Sequence, residues 1–216
     1  MDILKRHEIF EIEVLEALKN NKFLEPLVFG GGTMLRLCYG LKRYSTDLDF
    51  WFVKRTEPKR YFEKMKRYLQ KSYELTDAQI KFYTILFELR SAKYPKRLKI
   101  EIRKAVTKCD FQDRIAYSKY DNRQVIMKVF TPEEAMRRKI AAALDRKDVR
   151  DCFDMEFLAR KGVRLDVTTA EKRRLNEVID GFKDTDYKVT LGSVLEPDMR
   201  KYYVKNGFDY LSRLLI

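Results

Sequence analysis

Residues 27–53, LVFGGGTMLRLCYGLKRYSTDLDFWFV, decide how this chain is read. Leu27, Val28 and Phe29 form a short apolar run of the kind a buried strand shows. Gly30, Gly31 and Gly32 follow, three of the eight glycines in the chain, so a special backbone is expected there. Residues 33–39 read as a helix, and Gly40 suits its C-terminal cap. The glycines thus stand at a strand-to-helix turn. Such a turn lets an anion approach the backbone, and the free N–H groups of the helix start point at it. Residues 47–53 then alternate. Leu48, Phe50 and Phe52 fall on one face; Asp47, Asp49 and Trp51 fall on the other. The two carboxylates leave the same side of the strand, with Cα atoms about 6.5–7 Å apart.

Outward from this stretch the pattern continues. Residues 5–19 read as a helix with Phe10, Val14 and Leu18 on one face. Residues 57–71 form a basic helix whose apolar face is Phe62, Met65 and Leu69. Residues 82–90 alternate, with Tyr83, Ile85, Phe87 and Leu89 inward. Residues 98–103 alternate too: Leu98, Ile100 and Ile102 point in, and Lys99, Glu101 and Arg103 point away. Residues 125–130 are a further strand. Then Thr131, Pro132, Glu133 and Glu134 make a strong helix start. Helices follow to about residue 144, over 149–160, and from Thr168 or Thr169 to Asp180. The final 35 residues suggest short packed helices around Tyr202, Tyr203, Phe208, Tyr210, Leu211 and Leu214. The outline is an α+β part followed by a helical part, divided as residues 1–125 and 126–216.

Composition narrows the function. Hydrophobic residues make up 45% of the 216-residue chain, enough for a packed core rather than a disordered chain. No stretch reaches the roughly 18 apolar residues of a membrane span. The start of the chain is charged throughout, which argues against a signal peptide, so a cytoplasmic protein is expected. Cys38, Cys109 and Cys152 are far apart in sequence and read as free thiols rather than a disulfide or zinc framework. The one histidine, His7, sits in a charged helix with no evident orienting partner. Chemistry must then rest on Asp, Glu, Lys, Ser or Thr. Lys and Arg number 46 against 33 acidic residues, a net charge of +13. That excess favours a polyanionic partner such as RNA over a merely mixed-charge surface.

If the strand around Glu101 lies beside the Asp47 strand in register, three carboxylates converge. Crowded anions repel, so such a cluster implies cations, and Mg2+ (or Mn2+) takes oxygen ligands of this kind. Two such ions about 3.5–4 Å apart can activate an attacking hydroxyl and stabilise leaving pyrophosphate. Gly31, Gly32 and Thr33 would hold the triphosphate of an NTP, with Arg43 and Ser45 close by in sequence. A lone Asp-x-Asp or Gly-Gly is common; the order strand, glycines, helix, Asp-x-Asp, later Glu carries the weight. Neither the P-loop spacing nor a GxGxxG run is present.

The stretch GGGTMLRLCYGLKRYSTDLDFWF (30–52) resembles the first signature of the AbiEii-type nucleotidyltransferases, a family that includes MenT-like toxins. Gly31, Gly32, Thr33, Leu35, Arg43, Ser45, Asp47 and Asp49 carry the match. EEAMRRKIAAALDRKDVRDCFDMEFL (133–158) resembles the second signature through Lys139, Arg150, Asp151 and Asp154. KIEI around Glu101 resembles the strand of the third carboxylate. The resemblance implies a polymerase-β-like domain with a mixed sheet and a mainly helical C-terminal domain. It implies an NTP substrate, an RNA acceptor with tRNA foremost, and a cognate antitoxin. It assigns Asp47, Asp49 and Glu101 to metal and catalysis. It further places Lys139 on the triphosphate and Asp154 near the nucleotide, with Asp151 bracing a basic residue.

Two rivals stand beside this reading. One is nucleotidylation of a small molecule, such as an aminoglycoside, or of a protein; a cationic antibiotic would favour an acidic pocket, against the charge seen here. The other is an inert nucleotide- or RNA-binding protein.

Overall fold

The computed structural model describes residues 3–216; Met1 and Asp2, included in the expected first domain, lie outside the described residues. Two compact units emerge. The first runs to Gly40 and resumes over Tyr44–Phe130; the second comprises Leu41–Arg43 and Thr131–Ile216.

The first unit is built on one mixed seven-stranded sheet. Its strands are β1 (Leu27–Gly30), β2 (Asp47–Phe52), β3 (Glu74–Ile80), β4 (Thr84–Arg90), β5 (Leu98–Arg103), β6 (Phe111–Tyr117) and β7 (Gln124–Phe130). They lie in the order β3-β4-β5-β2-β1-β7-β6. Pairing is antiparallel except for β2 with β5 and β1 with β7, which run parallel. Three helices complete the unit: α1 (Ile3–Asn20), α2 (Gly31–Tyr39) and α3 (Pro58–Leu69).

Alternation decides which side of the sheet is filled. Leu48, Phe50 and Phe52 of β2, Ile85, Phe87 and Leu89 of β4, and Leu98, Ile100 and Ile102 of β5 are almost inaccessible. From α3, Phe62 stacks on Phe87 with ring centres 5.1 Å apart, and Tyr61 meets Phe52 edge-on at 5.1 Å. Full burial of each such side chain contributes about 1.5–3 kcal/mol. Tyr83, expected inward with the β4 set, is instead 70% exposed. It lies in the turn before β4, so the strand period no longer applies to it. Two strands, β3 and β6, have no counterpart in the sequence reading.

The second unit is helical: α4 (Pro132–Arg146), α5 (Val149–Arg160), α6 (Thr169–Asp180), α7 (Pro197–Asn206) and α8 (Asp209–Leu214), with a π-helical turn at Asp186–Leu191. Each of the first three starts on a capping side chain. Thr131 accepts from the Glu134 N–H, Asp148 from the Arg150 N–H, and Thr168 and Glu171 form a reciprocal box. Phe153, Tyr203 and Phe208 pack ring against ring at 4.9 and 5.5 Å. Among the described residues, no helix is long and apolar enough to cross a membrane. The three cysteines are free, and burial pushes the Cys152 thiol up to about 12, which leaves it inert.

Glu156 of α5 fastens the last two helices. It is fully buried. It accepts from the Tyr203 hydroxyl at 2.9 Å and from the Leu211 N–H at 3.2 Å, and it pairs with Arg160 at 2.9 Å. Glu156→Ala leaves two buried donors unsatisfied and should cost about 3 kcal/mol. Hydrogen exchange should then accelerate over residues 197–214 before it does over α4. Unchanged exchange there would show that apolar packing alone holds these helices.

Candidate active site

The polar face of the sheet is set by register. β1 pairs with β2 so that Gly30 opposes Asp49. On its other side β2 pairs with β5, placing Asp47 opposite Lys99, Asp49 opposite Glu101, and Trp51 opposite Arg103. The expected neighbours Asp49 and Glu101 are therefore partners across a parallel ladder.

Gly31 shapes the turn between β1 and α2. Its φ of 75° is in the left-handed region, which glycine tolerates and other residues resist. A Cβ on Gly31 would fall on the Asp49 carboxylate oxygen. The missing side chain is thus the space that the carboxylate uses. Asp49 stands beside the first residue of α2, where the helix dipole favours a negative charge. Gly30 is extended, but a Cβ there would enter the rings of Phe130 and Trp51.

Thr33 is fully buried, and its hydroxyl donates to the Asp47 carbonyl at 2.7 Å. It was expected to donate to a phosphate. In the structure its proton goes to the Asp47 backbone, so the hydroxyl positions the first aspartate. The Asp47 carboxylate makes no hydrogen bond or ion pair within the described residues, and neither does the Ser45 hydroxyl. Gly32 is buried at the start of α2.

The three carboxylates share one face of the sheet. Glu101 turns toward its own strand, 2.9 Å from Lys99 and 3.6 Å from Arg103. Accordingly, no three His, Cys, Asp or Glu side chains gather tightly enough for a metal ion among the described residues. The expected three-acid neighbourhood corresponds in strand register to Asp49 opposite Glu101, with Glu101 paired to Lys99 and Arg103. Asp47 and Asp49 still offer the all-oxygen donor chemistry that suits a hard divalent cation. Glu101 would join them only by exchanging its basic partners. The field here is negative: burial draws the Lys99 ammonium down, but Glu101, Asp47 and Asp49 outweigh it and raise its pKa.

Beside Asp47 lies a buried polar group that sequence reading set aside. His7 is 1% exposed, and its Nε2 lies 3.0 Å from the Thr46 carbonyl. A carbonyl only accepts, so Nε2 carries the proton. Nδ1 of His7 and both carboxylate oxygens of Glu11 have no hydrogen-bond partner. Burial lowers the His7 pKa, and it raises that of Glu11 well above the ordinary carboxylate value, helped by Glu8 and Asp47 and opposed by Arg36. Glu8 is satisfied by Arg36 and by Ser118 at 2.6 Å. The i, i+4 spacing of His7 and Glu11 was the available signal, masked by the many charges of the helix.

The second signature forms its own cluster within the helical unit. Asp154 is fully buried and accepts two hydrogen bonds from Arg43, both at 2.7 Å. The Lys139 ammonium lies 2.6 Å from Asp154 and 2.8 Å from Asp151. Asp151 also accepts from Arg146 at 2.6 Å. Burial pushes the Asp154 carboxyl up, but Arg43 and Lys139 prevail and hold it below the ordinary range. In this structure Arg43 and Lys139, expected on the triphosphate, pair with carboxylates of their own unit. Asp154, expected near the nucleotide, closes this ion-pair group, and Asp151 braces Lys139 and Arg146. Arg150 pairs locally with Asp148.

Two outcomes follow from these charges. Asp154→Ala removes the carboxylate shared by two buried cations, Arg43 and Lys139, and should cost about 3–5 kcal/mol in chemical denaturation; lost activity with unchanged stability would assign Asp154 to chemistry instead. Glu11 has a folded pKa above its unfolded value of 4.5, so the folded state binds the extra proton and stability falls as pH rises from 4.5 toward the folded value. Glu11→Gln should therefore raise the melting temperature more in mildly alkaline than in mildly acidic buffer. An equal shift in both, or a loss at the higher pH, contradicts this.

Solved structures share this fold. One is from Helicobacter pylori and described as a nucleotidyltransferase, with a TM-score of 0.58, 22% identity and 95% of each chain covered. JHP933 from Helicobacter pylori aligns with a TM-score of 0.54 at 20% identity over 93% of each chain. The nucleotidyltransferase toxin MenT4 of Mycobacterium tuberculosis aligns with a TM-score of 0.52 at 16% identity, over 98% of this chain and 91% of that one. No curated protein matches. Residues 13–203 match the family described as nucleotidyl transferase AbiEii toxin of type IV toxin–antitoxin systems. That match spans most of the chain, both units included, and the protein is therefore a member of the AbiEii nucleotidyltransferase toxin family.

Proposed function

We propose that this nucleotidyltransferase transfers an NMP from an NTP to an RNA acceptor, with tRNA the first candidate, and that Asp47, Asp49 and Glu101 form its reacting centre. The observation that carries this reading is the register of β2 and β5, which sets Asp49 opposite Glu101 and beside the turn at Gly31.

In this reading Gly31, Gly32 and Ser45 hold the triphosphate at the start of α2. Asp47 and Asp49 would hold Mg2+ or Mn2+, which supplies Lewis-acid stabilisation of charge on the phosphoryl oxygens. Thr33 fixes the Asp47 backbone, and Gly31 fixes the place of the Asp49 carboxylate. Glu101 accepts the proton of the acceptor hydroxyl. The hydroxyl oxygen bonds to the α-phosphorus as the bond to the β-phosphate bridging oxygen breaks, and pyrophosphate leaves with the bonding pair. Lys139 and Asp154 belong, with Arg43 and Asp151, to the ion-pair group of the helical unit.

The RNA part of the proposal rests on charge. The net charge of +13 and the basic helix α3 suit a phosphate backbone, as do the lysines and arginines of residues 93–104. Family membership adds an antitoxin as the expected protein partner, in the same cytoplasmic compartment.

Incubation with each labelled NTP, total tRNA and Mg2+ tests the proposal. Label should enter RNA and pyrophosphate should appear in equal amount. Asp49→Asn should reduce transfer about a thousandfold or more with an unchanged fold, as loss of several kcal/mol of transition-state stabilisation implies. Label entering protein or a small molecule, and never RNA, would refute the RNA acceptor. Full activity of Asp49→Asn would refute the reacting centre.

A further inference from the structure

Beyond Glu101 the same sheet face ends in a cleft of about 350 Å3. It is lined by Trp51, Phe82, Tyr83, Arg103, Lys104 and Thr107, among others. The elements that form it are fixed by backbone bonds. The Lys104 N–H donates to the Tyr83 carbonyl at 2.9 Å, which carries the β4–β5 ladder into the turn. The Thr107 N–H donates to the Phe52 carbonyl at 2.8 Å, which ties the segment after β5 to the end of β2. The turn itself is closed by Lys81 donating to Thr84 at 2.8 Å.

This turn displays two large aromatic side chains. Phe82 is 81% exposed and Tyr83 70%, their rings edge to face at 4.5 Å. Exposed single aromatics are ordinary at turns. Here they share one cleft with the chain's only tryptophan and with two cations, and no acidic side chain lines it among the described residues. Flat π-faces flanked by arginine and lysine suit a nucleobase and its phosphate, because every base can stack and every nucleotide is anionic. A buried apolar plug would fit poorly between Arg103 and Lys104.

The cleft's place assigns its occupant. Trp51 follows Asp49 by two residues on the same face of β2, and Arg103 follows Glu101 by two on the same face of β5. Arg103 also lies 3.6 Å from the Glu101 carboxylate. The triphosphate turn is on the β1 side of β2, whereas the cleft opens beside β5, the strand of the group that takes the acceptor's proton. We propose that this cleft stacks an unpaired nucleotide of the RNA acceptor and thereby presents its hydroxyl to Glu101; this rests on the RNA-acceptor reading above. Arg103 would pair with that nucleotide's phosphate, drawing it away from Glu101 and leaving the carboxylate open to receive a proton. Phe82 and Tyr83 would set acceptor affinity without entering the chemistry.

The lone tryptophan makes the test direct. A short single-stranded oligoribonucleotide should quench Trp51 fluorescence in the full chain, and an oligomer of equal charge lacking its bases should not. The double variant Phe82→Ala, Tyr83→Ala changes only exposed side chains, so it should fold normally. It should weaken oligonucleotide binding about tenfold or more, in keeping with one to two lost stacking contacts. It should raise KM for RNA while kcat at saturating RNA and KM for the NTP stay as they were. Equal quenching by the base-free oligomer overturns the proposal, as does unchanged binding by the double variant. Quenching by NTP alone, with a raised KM for NTP, would assign the cleft to the donor base and also overturn it. If no base-dependent quenching occurs while RNA is still labelled, the cleft assignment fails alone. If quenching occurs and no RNA is ever labelled, the reading of the acceptor fails instead.

Discussion

The polar face of the first unit depends on one steric constraint: Asp49 needs the volume that a side chain on Gly31 would occupy. A carboxylate in such a position loses hydration, and it is tolerated because the start of α2 offers a compensating field. The positive φ at Gly31 is the same constraint seen from the backbone. The chain must turn sharply from β1 into α2 for the helix to begin beside β2. Only glycine satisfies both demands at once, the left-handed turn and the close approach. Thr33, two residues later, then reaches the Asp47 carbonyl and holds the other end of the Asp-x-Asp pair. Two residues of one strand-to-helix turn, Gly31 and Thr33, thus set the side-chain space of one aspartate and the backbone of the other.

How much of this was legible in the sequence depends on whether burial was one-sided. β2, β4 and β5 have one filled face and one polar face, so their alternation is plain and the shared side of Asp47, Asp49 and Glu101 can be read from it. β6 has no such asymmetry. Phe111, Ile115 and Tyr117 are exposed on an edge strand, and its pairing with β7 rather than burial defines it. β3 is broken by an irregularity between Leu75 and Asp77, which disrupts any period of two. Both strands are held by neighbours distant from the local pattern. Capping at Thr131 was readable because its chemistry is local.

The site itself was legible in its backbone and not in its ion pairs. Strand period put Glu101 on the correct face, but its preference for Lys99 and Arg103 depends on side-chain torsions, which no period encodes. Arg43 and Asp154 are separated by 111 positions, so nothing local announces their bidentate pair. Lys139, Asp151 and Asp154 matched a signature; the signature could not say that the lysine would be held between the two carboxylates. A buried ion-pair group of this kind is retained poorly by stability alone, since matched apolar residues often serve as well. What this group does supply is a fixed Arg43 side chain, held by two hydrogen bonds to Asp154.

The two charged clusters solve the same problem in opposite ways. In the helical unit, Arg43 and Lys139 balance Asp151 and Asp154 in buried contacts, which burial strengthens, while Arg146 reaches Asp151 from the surface. On the sheet face, Glu101 is balanced by two cations that remain largely exposed, with side-chain accessibilities of 40% for Lys99 and 52% for Arg103. Exposed pairs are weak, worth about 0–1 kcal/mol. The first arrangement is costly to break and the second is cheap. Residues that must stay fixed are buried with their counter-charges, whereas Glu101 is left with partners that a phosphate or a cation can displace. Asp47, whose carboxylate has no ion-pair partner among the described residues, adds to the negative field that raises the Lys99 pKa.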